Sequence, residues 1–461
     1  MPMSEVLIIG AGPAGLHAAR GALDAGAAVT LLDAHDLVGG QFWRHLPPER
    51  STAQDERMQH GWTSFQELRA RLQDHPRCRM LTSTEVWAIE PGTDGAGPRV
   101  HALTGPSGAA RRDEVTLTPD RLILATGAHD RVLPFPGWEL PGVFSAGAAQ
   151  ALAKGERVAV GERVLVAGAG PFLLATAASL TATGARVVGV HEAARPAALG
   201  RGWLSRPWEL AQSSGKLKEL IEYAALHLRH RIPYVAGSAV VAAEGDDRLE
   251  SVRVARLDAD WRPVAGTEHD IAVDALAVSH GFTPRLELAI AAGCAITTDR
   301  FVGIDDDQGT TVPGVYAAGE LTGIGGMALS AAEGAIAGLA AAGAAIPEQL
   351  RSERARQRAF AIRIERAHGI RPGWTDWLRE DTTVCRCEDV PYGALVPGEA
   401  ASRSLRAVKL ATRAGLGICQ GRTCGRTVED LLGREPGLLG TTTTDRRPIA
   451  APVRLGEFAR E

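Results

Sequence analysis

The chain opens with an apolar run, Val6-Leu7-Ile8-Ile9, that stops at a glycine-rich turn, Gly10-Ala11-Gly12-Pro13-Ala14-Gly15. Residues 16–26 read as a helix, and Ala28 to Leu32 form a second apolar run closed by Asp33. This order predicts strand, turn, helix, strand and acid. The same order returns at Arg163 to Ala167, with Gly168-Ala169-Gly170-Pro171-Phe172-Leu173, a helix to Ala182, and a strand Val187 to Val190 before Glu192. Three more apolar runs read as strands. One spans Thr84 to Ile89, one is Leu122-Ile123-Leu124 before Ala125-Thr126-Gly127-Ala128, and one is Thr311 to Ala318 before Gly319-Glu320. Strands alternating with helices predict an α/β fold with parallel sheets. Val164 to Ala185 is a 22-residue uncharged stretch, long enough to span a bilayer. Its glycines, Pro171 and four hydroxyl residues instead predict strand, turn and helix, so no membrane span is expected.

Length and charge narrow the picture. At roughly 150 residues per domain, 461 residues predict about three domains. The net charge of −4 argues against a nucleic-acid partner. The charge is uneven, +6 over 351–461 against −10 over 1–350, which suggests a boundary near 350. Beyond it Arg351, Arg354, Arg356, Arg358, Arg363 and Arg366 crowd one helical segment, either a solvated face or a dock for an acidic partner. Six cysteines in this length do not make a secreted disulfide scaffold, and the apolar start has no basic leader. A cytoplasmic protein is expected.

The first turn has the chemistry of a dinucleotide loop. Gly10 permits the turn, Gly12 lets backbone approach a pyrophosphate, and Gly15 lets the helix pack on the strand. Pro13 and Ala14 open a helix whose N-terminus attracts phosphate. Asp33, 18 residues past Gly15, is placed to accept ribose hydroxyls. In the second turn Gly168, Gly170 and Glu192 are retained, but Leu173 stands where the third glycine belongs. That side chain is expected to push the helix away from the strand. The site then holds NAD, holds another nucleotide such as ATP, or stays empty; Glu192 disfavours a 2′-phosphate. His280 reads as a packed residue where the chain crosses back. Cys78 and Cys294 form no redox pair, and no set of catalytic side chains is evident.

The remaining cysteines form a compact pattern. Cys385-Arg386-Cys387, 31 residues, then Cys419-Gln420-Gly421-Arg422-Thr423-Cys424 would place four thiolates together. Four thiolates suit a [2Fe–2S] cluster, two sulfurs to each iron. Zinc is the rival, although Cys-x-Cys departs from its usual spacing. Arg386, Arg413 and Arg422 would raise the cluster's potential if they face the sulfurs, or are ordinary surface arginines.

The glycine turns, Gly39-Gly40-Gln41, Ala125-Thr126-Gly127 and Gly319-Glu320 resemble the flavoproteins with two dinucleotide-binding domains. The cysteine pattern resembles the BFD-like [2Fe–2S] domain. Gly168 to Leu174 and Cys419 to Cys424 carry a resemblance of the whole chain to the FAD-binding α subunit of heteromeric dehydrogenases of the opine, D-hydroxyproline and hydrogen cyanide synthase type. The resemblance implies an α/β fold with two Rossmann-like dinucleotide-binding domains (glutathione-reductase-like, one inserted in the other) plus a small C-terminal helical [2Fe–2S] domain. The implied divisions are 1–145 and 279–346 for the FAD domain, 146–278 for the inserted NAD(P)-type domain, 347–380 for a helical linker, 381–430 for the cluster domain and 431–461 for the tail. It implies FAD held by the first loop, Asp33, Gly40, Gln41, Ala125, Thr126, Gly127, Gly319 and Glu320, with the Val86 backbone facing adenine. It also implies a partner flavoprotein β subunit of glycine/D-amino-acid-oxidase type that oxidises a C–N bond and passes electrons to this chain. FMN at a subunit interface is compatible with it, as is a small additional subunit. Thr441 to Pro452 looks extended, either wrapped over another domain or partner or disordered.

Overall fold

The computed structural model describes residues 4–50, 54–92, 97–205, 214–395, 405–433 and 449–458. The chain forms two compact units, one from the described parts of 1–129, 284–361 and 445–461, the other from those of 130–283 and 362–444.

The first unit is built on strands β1 (Glu5–Ile9), β2 (Ala28–Leu32), β3 (Cys78–Leu81), β7 (Arg121–Leu124) and β18 (Val315–Ala317). They pair in parallel, in the order β18-β7-β1-β2-β3. Successive β1 residues point to opposite faces. Val6 and Ile8 join the cluster under the helices, while Leu7 and Ile9 join the one that holds Val86, Val100 and Leu288. Both faces are thus covered, which is why these strands read as continuous apolar runs. An antiparallel sheet, β4 (Thr84–Glu90), β5 (Arg99–Thr104) and β6 (Asp113–Leu117), completes this side. The helix Pro13–Asp24 lies against the helix Gly326–Ala341 at backbone distance. A Cβ at Gly334 would stand 2.0 Å from the Ala14 carbonyl oxygen, and one at Gly338 2.1 Å from that of Ala18. Only glycine permits that approach, and it fixes the helix whose N-terminus faces the first loop.

Short strands β8 (Ala128–Asp130) and β17 (Phe282–Pro284) carry the chain out and back. The second unit repeats the parallel sheet with β9 (Val143–Ser145), β10 (Arg163–Gly168), β11 (Arg186–Glu192), β12 (Tyr234–Ala236) and β16 (Ala275–Ser279), ordered β12-β11-β10-β16-β9. Strands β13 (Ser238–Glu244), β14 (Ser251–Arg256) and β15 (His269–Ala272) form its antiparallel layer.

A long helix, Glu348–His368, ends in this unit, and a short 3₁₀ segment, Pro372–Trp377, follows it. Trp374 and Trp377 are buried in one cluster with Trp261, Leu133 and Ala169. Trp377 Nε1 donates to the Trp261 carbonyl at 2.9 Å, and the two indoles stack at 6.3 Å. The cysteine-bearing module comprises β19 (Thr383–Cys385), β20 (Val390–Pro391) and the helices Leu405–Thr412 and Gly425–Leu432 around a core of Val384, Val390, Leu395, Leu405, Val408 and Leu432. It packs on the dinucleotide-type domain of the same unit. Trp138 Nε1 donates to the Thr383 carbonyl at 2.5 Å, the Arg386 guanidinium lies 5.1 Å from the Trp138 ring centroid, and Arg131 pairs with Asp430.

Five of the six arginines of the arginine-rich helix have partners within the chain, and Arg366 is exposed. Arg351 reaches Asp307 at 2.5 Å and Arg354 reaches Asp306 at 2.9 Å. Arg356 pairs with Glu353, Arg358 reaches Glu333, and Arg363 donates to the Trp203 carbonyl. Residues 434–448, which hold most of the expected extended tail, lie outside the described residues. The described end packs on the first unit, with Ala450 N donating to Trp87 O at 2.7 Å and Glu457 pairing with Arg112 at 2.8 Å.

Candidate functional site

The first glycine loop sits at the carboxyl end of β1, the crevice where open α/β sheets bind ligands. Gly10 has φ 106°, and a Cβ there would stand 2.3 Å from Ala125 O. A Cβ at Gly15 would stand 1.7 Å from Gly10 O, so the helix starts in contact with the turn. Leu16 N donates to Gly12 O at 3.0 Å, a regular α-helical bond, and Pro13 takes the first helical position, where no N–H is needed. Gly40 lies backbone to backbone against Gly12, and Gly319 lies against Ala14. The structure therefore gathers Gly10, Gly12, Pro13, Ala14, Gly15, Gly40, Ala125 and Gly319 around one helix N-terminus.

Asp33 flanks this group. Its Oδ2 accepts from Ala11 N at 2.6 Å, and its Oδ1 accepts from His35 N at 2.8 Å. Thr126 Oγ1 donates to Arg285 O at 3.1 Å, and Gly127 O accepts from Arg285 N, which ties the end of β7 to the returning chain. Gln41 is exposed and its Oε1 accepts from Arg44. Val86 has its side chain in the core, at a bulge in the β4–β5 ladder. Glu320 Oε1 accepts from Gly326 N at 2.7 Å. Burial pushes the Glu320 carboxyl up to about 7, against the pull of the Gly326 and Gly325 amides and with the help of nearby Glu333. Glu333, fully buried, belongs to none of the sequence motifs. It accepts from Gly319 N at 3.0 Å and Thr322 Oγ1 at 2.6 Å, and so fixes the Gly319 turn. Its one sequence signal is a lone carboxylate in the middle of an alanine-glycine helix.

The second loop differs. Gly168 is packed on β16, where a Cβ would stand 1.7 Å from Ser279 O, while Gly170 faces open space. Leu173 is fully buried among Val164, Val166, Ala177 and Ala277. The helix accommodates it by starting tightly: Leu173 N and Leu174 N donate to Gly170 O and Pro171 O, both i→i−3 bonds at 3.2 Å.

Glu192 is fully buried, and its donors come from the protein itself. Oε1 accepts from Ala194 N at 2.9 Å. Oε2 accepts from Gly170 N at 2.9 Å and from Tyr234 Oη at 3.4 Å, and it meets His368 Nδ1 at 3.1 Å. Trp203 Nε1 donates to His368 Nε2 at 3.1 Å, so the imidazole proton sits on Nδ1, towards Glu192. A carboxylate has about four acceptor positions, two to each oxygen; three donors crowd Oε2 here and one meets Oε1. His280 is buried beside Trp261 and Trp377, its Nδ1 accepts from Leu133 N, and burial lowers it to about 3. It is a neutral packing residue.

The cysteine module brings all four thiols together. The thiols lie as two neighbouring pairs, Cys385 with Cys424 and Cys387 with Cys419. The Cys385 thiol is held down to about 5 by the Cys424 thiol and, against burial, by the amides of Gly415, Cys387 and Glu388. Hydrogen bonding to Cys385 and burial push Cys424 up. No three His, Cys, Asp or Glu side chains among the described residues surround a point that would hold a single ion. Two thiol pairs match the two-sulfurs-per-iron donor set of a [2Fe–2S] cluster. The loops are tight: Asp389, Arg413 and Gln420 have φ of 48°, 66° and 55°, and a Cβ at Gly417 would stand 2.3 Å from Cys387 Cβ. Of the nearby arginines, Arg413 pairs with Glu388 at 2.5 Å, Arg386 covers Trp138, and Arg422 donates to Cys419 O at 3.5 Å.

Residues 4–338 match the family model of the pyridine nucleotide-disulphide oxidoreductases. The chain belongs to that family. Residues 383–434 match the BFD-like [2Fe–2S] binding domain. This family member is thus an oxidoreductase that carries FAD and a [2Fe–2S] cluster. An opine oxidase subunit from Rhizobium meliloti is 30% identical over 478 residues, covering 99% of this chain and 87% of the relative. Hydrogen cyanide synthase subunit HcnB of Pseudomonas aeruginosa is 32% identical over 449 residues, covering 94% and 93%. The alpha subunit of sarcosine oxidase from Corynebacterium sp. (strain P-1) is 29% identical over 479 residues, where 99% of this chain spans 45% of the relative. Among solved structures, L-proline dehydrogenase from P. horikoshii shares the fold with a TM-score of 0.66 at 21% identity, over 99% of this chain and 80% of that one. Among the described residues no helix is long and apolar enough to cross a membrane.

Proposed function

We propose that this chain is the electron-transfer subunit of a heteromeric dehydrogenase that oxidises a C–N bond of an amino or imino acid, such as an opine or D-hydroxyproline, on a partner flavoprotein subunit of glycine/D-amino-acid-oxidase type. The observation that carries the reading is Glu192. In a working NAD site this acid accepts the ribose hydroxyls. Here it is buried and bonded to Gly170, Ala194, Tyr234 and His368. The crowding of Oε2 by His368 and Tyr234 disfavours a nicotinamide donor's ribose there, which supports electrons entering from another protein. Two relatives, a subunit of an opine oxidase and a subunit of a hydrogen cyanide synthase, support the same role.

In this reading the Gly10–Gly15 loop and its helix N-terminus hold the FAD pyrophosphate, Asp33 the ribose, and Gly40 and Gln41 the adjoining phosphate edge. Ala125, Thr126 and Gly127 line the flavin side, Gly319 and Glu320 the ribityl chain, and the Val86 backbone the adenine. Cys385, Cys387, Cys419 and Cys424 hold the cluster. When bound, FAD accepts an electron pair and releases it singly, and the cluster carries one electron at a time. The chain's own part is positional. Glu333 clamps the Gly319 turn, Glu320, raised to about 7 by burial, exchanges a proton near neutral pH, and the Trp138–Arg386 contact fixes the cysteine module on its domain. Four ligating thiols suit the reducing cytoplasm.

The test is co-expression with an amine-oxidising flavoprotein subunit of the glycine/D-amino-acid-oxidase type. Dye reduction by an amino or imino acid that requires both subunits supports the reading. Dye reduction by this chain alone with NADH overturns it.

A further inference from the structure

The helix end that closes Glu192 also builds a pocket of about 420 Å³ beside it. One wall is the start of the helix Pro196–Leu204, which has no side-chain cap and follows β11 directly. The opposite wall is Arg366 to Arg371, at the end of the long helix. Arg195 and Arg201 come from the first wall, Arg366 and Arg371 from the second. The side chains of Arg195, Arg201 and Arg366 take part in no hydrogen bond or ion pair among the described residues; Arg195 lies near Asp258, whose carboxylate already binds the Asp260 and Arg262 amides. The one carboxylate in the lining, Asp260, is paired with Arg262 at 2.9 Å. Four arginines therefore line the cavity, against Asp258 beside Arg195 and an Asp260 already paired with Arg262.

Its floor is strained. Trp261 lines the pocket with φ 72°, a left-handed conformation that bulky residues seldom adopt. Stacking on Trp377 and the bond from Trp377 Nε1 to its carbonyl hold it there. Strain held by its surroundings is found at ligand clamps. Guanidinium groups bind phosphates with two parallel N–H bonds each, and a helix N-terminus adds a partial positive charge.

We propose that this pocket binds an anion bearing two or more phosphate groups and so fastens the linker to the second dinucleotide-type domain. The crowded ribose seat and the anion pocket are two results of one event, the docking of the end of the Glu348–His368 helix on β11. Because the linker runs into β19 and Cys385, a ligand here braces the module that holds the cluster.

The experiment is calorimetric titration of the intact holoprotein with inorganic tripolyphosphate at matched ionic strength, with thermal unfolding in parallel. We expect one saturable site and a raised unfolding midpoint. Arg195→Gln with Arg366→Gln should weaken binding about a hundredfold, at roughly tenfold for each charged hydrogen-bonding group lost. Both side chains are exposed and unpartnered, so the variant folds; its iron content and flavin spectrum check this. Arg79→Gln, an exposed arginine of the first unit, should leave the affinity unchanged. Absence of saturable binding, or equal affinity in the double variant, overturns the proposal. Citrate binding as tightly as tripolyphosphate overturns the phosphate assignment. None of these outcomes bears on how the flavin is reduced, so the proposed function stands or falls separately.

Discussion

The two dinucleotide-type loops of this chain share one pattern and differ in three places that decide what each can hold. In the first, Leu16 N bonds to Gly12 O in α-helical register, whereas the equivalent Leu174 N bonds one residue nearer, to Pro171 O. In the first, Gly15 allows the helix to touch the turn; in the second, Leu173 fills that space with a fully buried side chain. Asp33 has His35 as its side-chain partner at 3.1 Å, a half-exposed group free to turn away. Glu192 has His368, buried and pinned by Trp203. A dinucleotide fold does not depend on its ligand, because sheet and core need only the apolar pattern. Binding needs the glycines and an acid with unfilled acceptor positions.

Exchanging the decisive residues breaks the comparison most strongly. Leu173→Gly leaves a cavity in a packed core and should cost about 3–5 kcal/mol, read by denaturant unfolding of the second unit. It should not create NADH oxidation, because Glu192 stays engaged. Gly15→Leu drives a side chain into Gly10 O and should abolish flavin retention, read as loss of the visible flavin bands, with destabilisation of about 1–3 kcal/mol or more. Trp377→Ala removes the stack that holds the linker and should cost about 3–5 kcal/mol. Iron content should fall while flavin content is kept.

A smaller change sharpens the comparison. His368→Ala strips one donor from Glu192 and should cost about 1–3 kcal/mol. It should raise the affinity for NAD⁺ at least tenfold over the wild type by calorimetry, because an acceptor position becomes free.

The smallest effect concerns pH. Glu320 is raised from 4.5 to about 7, so the folded state binds its proton more tightly than the unfolded state. That contribution is present in full below about pH 4.5 and is lost as pH rises through 7. Glu320→Gln should therefore flatten the fall in stability between pH 5 and pH 8 by on the order of 1 kcal/mol, measured as unfolding midpoints across that range.

Much of this was legible in the sequence because it is local. Both strand-turn-helix units and the four cysteines are written in contiguous stretches, where the period of apolar residues and the need for glycine leave few alternatives. The partners that close Glu192 were not legible. His368 lies 176 residues away and arrives through a linker whose arginines looked solvent-facing but are mostly bonded within the chain. Glu333 and the Trp138–Arg386 contact are of the same kind. Their meaning depends on tertiary neighbours that no local pattern encodes. Leu173, expected to push the helix away from the strand, is absorbed into the core with Val164 and Val166, and the helix opens with two i→i−3 bonds.

In the proposed function no nicotinamide feeds this flavin. Anaerobic visible spectra of the purified holoprotein, recorded before and after NADH and then after dithionite, test it most directly. The account predicts flavin bands that persist with NADH and bleach with dithionite. Bleaching by NADH within seconds would contradict it.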